Sequence, residues 1–240
     1  MTIDDVRRAL ERPLPGLEAQ ARMAPPYRRD QIEVMLNPPA CKHAGVLILL
    51  YPLDGRLCFP LTRRPDSVEF HKGQISLPGG SQENGESLSQ TALRETQEEI
   101  GVKAARIELI GPLSQLYVPP SNFCIQPFVG YTPFRPEFHV AEIEVAELIE
   151  APLDMLFDPT TVGVEEWEIR GGVWPIPFYR FGPHKVWGAT AMILSEFVVM
   201  LTQVEGRGDN GDEHSRRAVE LAQAGVGSKS SAGGFCTSRR

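Results

Sequence analysis

Residues 80–102, GSQENGESLSQTALRETQEEIGV, hold the side chains best suited to chemistry: Glu86, the pair Arg94-Glu95 and the pair Glu98-Glu99, framed by Gly80 and Gly101. Residues 87–100 contain no Gly or Pro and are rich in helix formers, so they read as a helix that Gly101 closes. On that helix Glu95, Glu98 and Glu99 fall at i, i+3 and i+4 and gather on one side. Leu88, Ala92, Thr96 and Ile100 form the neighbouring apolar stripe. The stripe is expected to face a sheet and leave the carboxylates at its edge.

A solvated acidic face is the bland alternative, and it explains less. Like charges at these spacings cost roughly 0.2–0.5 kcal/mol per pair, and the C-terminal end of a helix disfavours anions further. Arg94 can pair with Glu98, but one cation does not balance three carboxylates. A hard divalent cation with oxygen ligands removes the repulsion. Such an ion also lowers the pKa of bound water, whose proton a free carboxylate can take.

The spacing resembles the Nudix box, Gly-x5-Glu-x7-Arg-Glu-U-x-Glu-Glu-x-Gly-U with U a bulky aliphatic residue. Gly80, Glu86, Arg94, Glu95, Glu98, Glu99, Gly101 and Val102 match, and Thr96 takes the first U position. At roughly one chance in fifteen per fixed position, seven matches arise by accident on the order of once in 10⁸ starts. The resemblance implies an α/β fold, the Nudix-type α/β/α sandwich with a mixed β-sheet, and hydrolysis of a nucleoside diphosphate derivative. It implies Mg²⁺ or Mn²⁺ held by Glu95, Glu98 and Glu99, with a carbonyl from Gly79 or Gly80. Arg94 then positions the catalytic glutamates, and Glu86 braces loop and helix. Glu98 is a candidate general base; Glu142, Glu144 and Glu147 are others, with Glu144 preferred.

Upstream, residues 61–80, LTRRPDSVEFHKGQISLPGG, resemble the signature of the coenzyme A diphosphatase subgroup. Leu61, Thr62, Arg64, Gly73, Pro78, Gly79 and Gly80 are in register, whereas Pro60, Pro65, Glu69 and Leu77 depart. Residues 144–147 and 186–191 also resemble that subgroup. Arg64 and Lys72 are the implied phosphate contacts, and Phe123 is a candidate apolar wall. The implied products are adenosine 3′,5′-bisphosphate and 4′-phosphopantetheine or its derivative. ADP-ribose, a dinucleotide or another nucleoside diphosphate derivative is the alternative substrate, and a non-catalytic nucleotide-binding module the alternative class.

These residues need a scaffold. Residues 44–51 are a continuous apolar run, Asp54-Gly55 a turn signal and residues 57–62 a second run, which together predict a β-hairpin. Residues 107–116 and 124–131 are strand-like, as are 145–149; residues 153–157 suggest a helical turn. A further hairpin is predicted around Gly171-Gly172, and an apolar helix over 188–204. Residues 1–42 read as a short helix from Asp4 to Leu10 and a Pro-rich connector, 43–204 as the catalytic domain, and 205–240 as a disordered tail.

The net charge of −7 over 240 residues argues against nucleic acid as the partner, and it does not exclude the small-molecule nucleotide substrate that the resemblance implies, because a bound divalent cation reverses the local field. No apolar stretch is long enough for a membrane span, and the charged N-terminus lacks a signal-peptide core. Cys41, Cys58, Cys124 and Cys236 show no ligand spacing and read as unpaired thiols in a reducing, cytoplasmic setting.

Overall fold

A computed structural model of the chain describes residues 1–29, 31–66, 73–169 and 171–203. Thr2 caps the first helix, α1 (Ile3–Leu10), through a reciprocal capping box with Asp5. The Pro-rich segment that follows is not bare connector: it holds three short helices, α2 (Gly16–Ala21), α3 (Pro26–Arg29) and α4 (Ile32–Leu36). Val6, Ala9, Met23, Ala24 and Met35 from this region enter the same core as the last helix.

That core forms around β1 (Lys42–Leu53), which is buried on both faces and therefore carries no polar alternation. Leu47, Leu49 and Tyr51 point into one apolar cluster with Ala92, Ile100 and Val102. Ile48 and Leu50 point into the other, with Ile193 and Phe197. Asp54 and Gly55, both at positive φ (50° and 75°), turn the chain into β2 (Arg56–Arg63). The short strands β3 (Ile75–Ser76) and β4 (Gly79–Ser81) follow, then the acidic helix α5 (Leu88–Ile100).

The expected strand at 107–116 is divided into β5 (Glu108–Pro112) and β6 (Leu116–Val118), both paired with β7 (Phe123–Tyr131). β8 (Glu147–Pro152) adds to β2 and runs into a 3-10 turn over Leu153–Phe157. The eight strands form one mixed sheet of order β3-β2-β1-β7-β5, with β4 on β1, β6 on β7 and β8 on β2; β1 and β7 run parallel. A second sheet holds the expected hairpin, β9 (Val162–Ile169) and β10 (Gly172–Phe181), and an unexpected third strand, β11 (His184–Trp187). The closing helix α6 (Gly188–Thr202) is buried on nearly all sides, consistent with apolar residues all around it. With α5 on one face of the large sheet and α6 on the other, the layers are those of the expected α/β/α sandwich.

One cysteine expectation is corrected. Cys41 and Cys124 form a disulfide with Cα atoms 5.8 Å apart, because the parallel register of β1 and β7 sets His43 beside Cys124. Cys58 is free and buried; Cys236 and the expected tail lie outside the described residues. No helix among the described residues is long and apolar enough to cross a membrane.

Candidate active site

Helix α5 is built locally and seated closely. Ser87 caps it with Gln90 as the reciprocal partner, and Gly101 at φ 76° ends it. The helix lies directly on β1: a Cβ on Gly45 would stand 2.3 Å from the Leu88 carbonyl oxygen and 3.0 Å from the Ala92 nitrogen. Ala92, Thr96 and Ile100 are fully buried against the sheet. Thr96 occupies its apolar slot because its hydroxyl donates to the Ala92 carbonyl at 2.7 Å, which satisfies the polar atom.

Arg94 organises the exposed side of the helix. Its Nε and Nη2 donate to the two oxygens of Glu86 at 3.1 and 3.0 Å, and Nη2 also reaches the Ser81 carbonyl at 3.1 Å. Its Nη1 donates to Glu98 at 2.8 Å and lies 3.0 Å from Glu95. Glu86 also accepts from the Glu83 N–H and the Thr91 hydroxyl, each at 2.8 Å. The Arg94 fork, then these two donors, hold the Glu86 carboxyl down to about 2.

The three glutamates do not share one environment. Glu98 is 53% exposed and turned to Arg94. Glu95 and Glu99 instead lie behind the turn formed by Gly79 and Gly80. A Cβ on Gly80 would fall 2.4 Å from the Glu95 carboxyl carbon, and the Gly79 N–H donates to Glu99 Oε2 at 3.4 Å. Burial, the nearby Glu95 charge and Glu144 push Glu99 up to about 8, against the opposing pull of the Gly79 N–H and Arg64. Burial also raises Glu95, with Arg94 opposing.

Among the described residues no three His, Cys, Asp or Glu side chains stand close enough to cage an ion as placed. The donor set nevertheless suits a hard divalent cation: two carboxylates that burial disfavours as anions, packed beside a glycine turn. Of the downstream glutamates, Glu144 raises both Glu95 and Glu99 electrostatically. Its loop is tied to the end of α5 by the His139 N–H on the Ile100 carbonyl and the Ala141 N–H on the Glu99 carbonyl, each at 3.0 Å. Glu147 is engaged elsewhere, by Arg63 Nε at 3.1 Å and His184 Nε2 at 3.2 Å. Glu142 is exposed.

On the far side of the Gly79–Gly80 turn opens a cleft of about 560 Å³. Gly80, Arg64 and Phe123 are among its lining residues, while Lys72 lies outside the described residues. The α5 carboxylates are not themselves in the lining; the turn and Arg64 connect them to it. Sequence reasoning missed Tyr27 and Arg28, which sit in the segment read as connector. Trp187 and Thr190 also line the cleft. Both fall in the 186–191 motif, so the signal was present without a role attached.

The NUDIX domain family matches residues 42–159. An uncharacterized Nudix hydrolase NudL of Pectobacterium atrosepticum is 34% identical over 67% of this chain and 83% of its own length. The NudL of Yersinia enterocolitica is 36% identical over 63% and 77%. The human mitochondrial coenzyme A diphosphatase NUDT8 is 34% identical over 68% and 66%. With the glutamates, Arg94 and the glycine turn arranged as described, and relatives of this identity matched over most of their length, this chain belongs to the Nudix hydrolases.

Proposed function

We propose that the chain is a Mg²⁺- or Mn²⁺-dependent diphosphatase acting on coenzyme A or a derivative, yielding adenosine 3′,5′-bisphosphate and 4′-phosphopantetheine or its derivative. The carrying observation is the Gly79–Gly80 turn, which is at once a wall of the cleft and the cover over Glu95 and Glu99. The similarity to a human coenzyme A diphosphatase and the placement of Arg64 on the cleft wall support the substrate.

Glu95, Glu98, Glu99 and the Gly80 carbonyl would hold the cation. When bound, the cation supplies positive charge that offsets the repulsion of the diphosphate oxygens. Arg64 holds a phosphate oxygen by a charge-assisted hydrogen bond, and Phe123 closes the apolar side. Glu144 or Glu98 takes a proton from the attacking water as its oxygen bonds to phosphorus and the P–O–P bridge breaks. Arg94 acts through the carboxylates it holds and is a positioning residue.

The test is Mg²⁺-dependent hydrolysis of coenzyme A, acetyl-coenzyme A, ADP-ribose, NADH, a diadenosine polyphosphate and 8-oxo-dGTP, with products identified by mass. Efficient cleavage of ADP-ribose with coenzyme A untouched overturns the substrate assignment; cleavage of none of them with any divalent ion overturns the activity.

A further inference from the structure

Glu196 on α6 is fully buried and lies outside both the cleft lining and the α5 carboxylates. Burying such a group is costly unless its oxygens find donors. Here the donors come from two distant stretches of chain. Oε1 accepts from the Gly16 N–H at the start of α2 and from the Ser114 N–H in the connection between β5 and β6, each at 3.2 Å. Oε2 accepts from Gln20 Nε2 on α2 at 2.8 Å, and the same nitrogen donates to the Ser114 carbonyl at 3.1 Å. Three parts of the molecule therefore meet at one side chain.

Each of those parts leads into a wall of the cleft. Helix α6 supplies Ile193, one turn before Glu196. From Gln20 the chain runs through the buried residues Met23 and Ala24 to Tyr27, which lines the cleft and packs edge-on to Trp174 with centroids 5.6 Å apart. From Ser114 it runs through β6, buried along its length, to Val118 and Phe123 on the opposite stretch of lining. Close-packed interiors pass displacements on instead of absorbing them. A shift at Glu196 is thus carried to all three walls. The neighbouring Ser195 offers a contrast: its hydroxyl donates to the Ala19 carbonyl at 2.7 Å, a contact to α2 that does not involve the β5–β6 connection.

We propose that Glu196 is a positioning residue that sets the spacing of the cleft walls and, through it, the affinity for substrate. It touches neither substrate nor cation and acts through Tyr27, Val118, Phe123 and Ile193. The proposal rests on the reading of the cleft as the substrate site.

Steady-state hydrolysis of coenzyme A by the full chain at saturating Mg²⁺ reads this role. In Glu196→Gln an NH₂ replaces one accepting oxygen, so at least one of the donors now faces a donor. KM is expected to rise about 10-fold while kcat stays within about twofold of wild type, the pattern of lost uniform binding. Ser195→Ala is the comparator: it loosens the same pair of helices and is expected to lower Tm with KM within about twofold of wild type. Thermal unfolding of each variant sets an assay temperature below its transition. Should Glu196→Gln not fold, Gln20→Met decides, since it removes one donor at similar side-chain length and is expected to raise KM about threefold. If wild type cleaves another substrate of the panel and not coenzyme A, KM is read for that one. A KM that does not rise, a fall in kcat larger than the rise in KM, or an equal rise in Ser195→Ala overturns the role of Glu196 while leaving the wild-type activity in place. Cleavage of none of the substrates by wild type overturns the reading of the cleft, and this inference with it.

Discussion

The carboxylate of Glu95 fills the space where a side chain on Gly80 would begin, with the carboxyl carbon 2.4 Å from an ideal Cβ. The obstacle is the far end of a flexible side chain, not backbone. Gly80→Ala is therefore expected to fold with stability within about 1 kcal/mol of wild type, since Glu95 can swing aside. The swing removes a proposed ligand, so Mg²⁺-dependent turnover is expected to fall by about 10²-fold or more. Thermal unfolding beside a turnover assay checks both; near wild-type turnover would show that Glu95 need not sit against Gly80.

Gly45 makes the opposite case. Its Cβ would meet the Leu88 carbonyl oxygen at 2.3 Å and the Ala92 nitrogen at 3.0 Å, both in the backbone of α5. Neither atom can give way unless the helix moves off the sheet. Gly45→Ala is expected to lose about 1–3 kcal/mol or more of stability as an overpacking change, measured by urea unfolding. An unchanged midpoint would mean that α5 is not seated on β1 as described.

These two glycines also mark where sequence reasoning succeeds and fails. Helix α5 was legible because its signals are local: the Ser87 start, an interior free of Gly and Pro, and Gly101 at the end. The box spacing then identified Gly80, Arg94 and the glutamates together. The depth of each glutamate was not legible. Helical periodicity puts Glu95, Glu98 and Glu99 on one side, but it does not tell that Arg94 draws Glu98 outward while the glycine turn covers Glu95 and Glu99. Long-range convergence was also hidden. Arg28 and Arg64 share a cleft although they are far apart in the chain, and Cys41 meets Cys124 across 83 residues. Nothing in the local sequence around Arg28 distinguishes it from a surface arginine. Phe123 was legible as a candidate apolar wall, and the β6–β7 connection is what sets it in the cleft lining.

Glu86 gives a dependence on pH with a definite sign. Its folded-state carboxyl is held near 2, below its ordinary 4.5, first by Arg94 and then by the Glu83 N–H. A depressed carboxyl stabilises the fold above its unfolded pKa, and that contribution fades as pH falls from about 4.5 to about 2. Wild type is therefore expected to exceed Glu86→Gln in Tm at pH 6 to 7, with the gap closing across that acidic window. A gap that is constant with pH would show that Glu86 acts through packing instead of its charge.

The disulfide between Cys41 and Cys124 is expected to contribute through the unfolded state. The bridge closes a long loop, since the cysteines are 83 residues apart, and loop-closure entropy puts its worth at about 4–5 kcal/mol. The Cys41→Ser, Cys124→Ser double variant is expected to unfold at correspondingly lower urea, and reductant is expected to lower the wild-type midpoint but not that of the variant. Equal midpoints for wild type with and without reductant would show that the bridge is not present in solution.

Glu98 and Glu144 are the two carboxylates proposed to accept a proton, and their surroundings separate the consequences of replacing them. Glu98 is half exposed and held by Arg94 at 2.8 Å, an arrangement worth about 0–1 kcal/mol. Glu144 is exposed, and its charge acts on both Glu95 and Glu99. Either amide variant is thus expected to fold as wild type does. The residue that takes the proton is expected to lose about 10²- to 10⁴-fold in kcat on becoming an amide. The other carboxylate, acting only as a ligand or a nearby charge, is expected to show its loss mainly in the Mg²⁺ concentration required for half-maximal rate. Measuring kcat at saturating Mg²⁺ for Glu98→Gln and Glu144→Gln therefore assigns the base. Wild-type kcat in both variants would mean that neither carboxylate accepts the proton, and that the attacking water is deprotonated elsewhere.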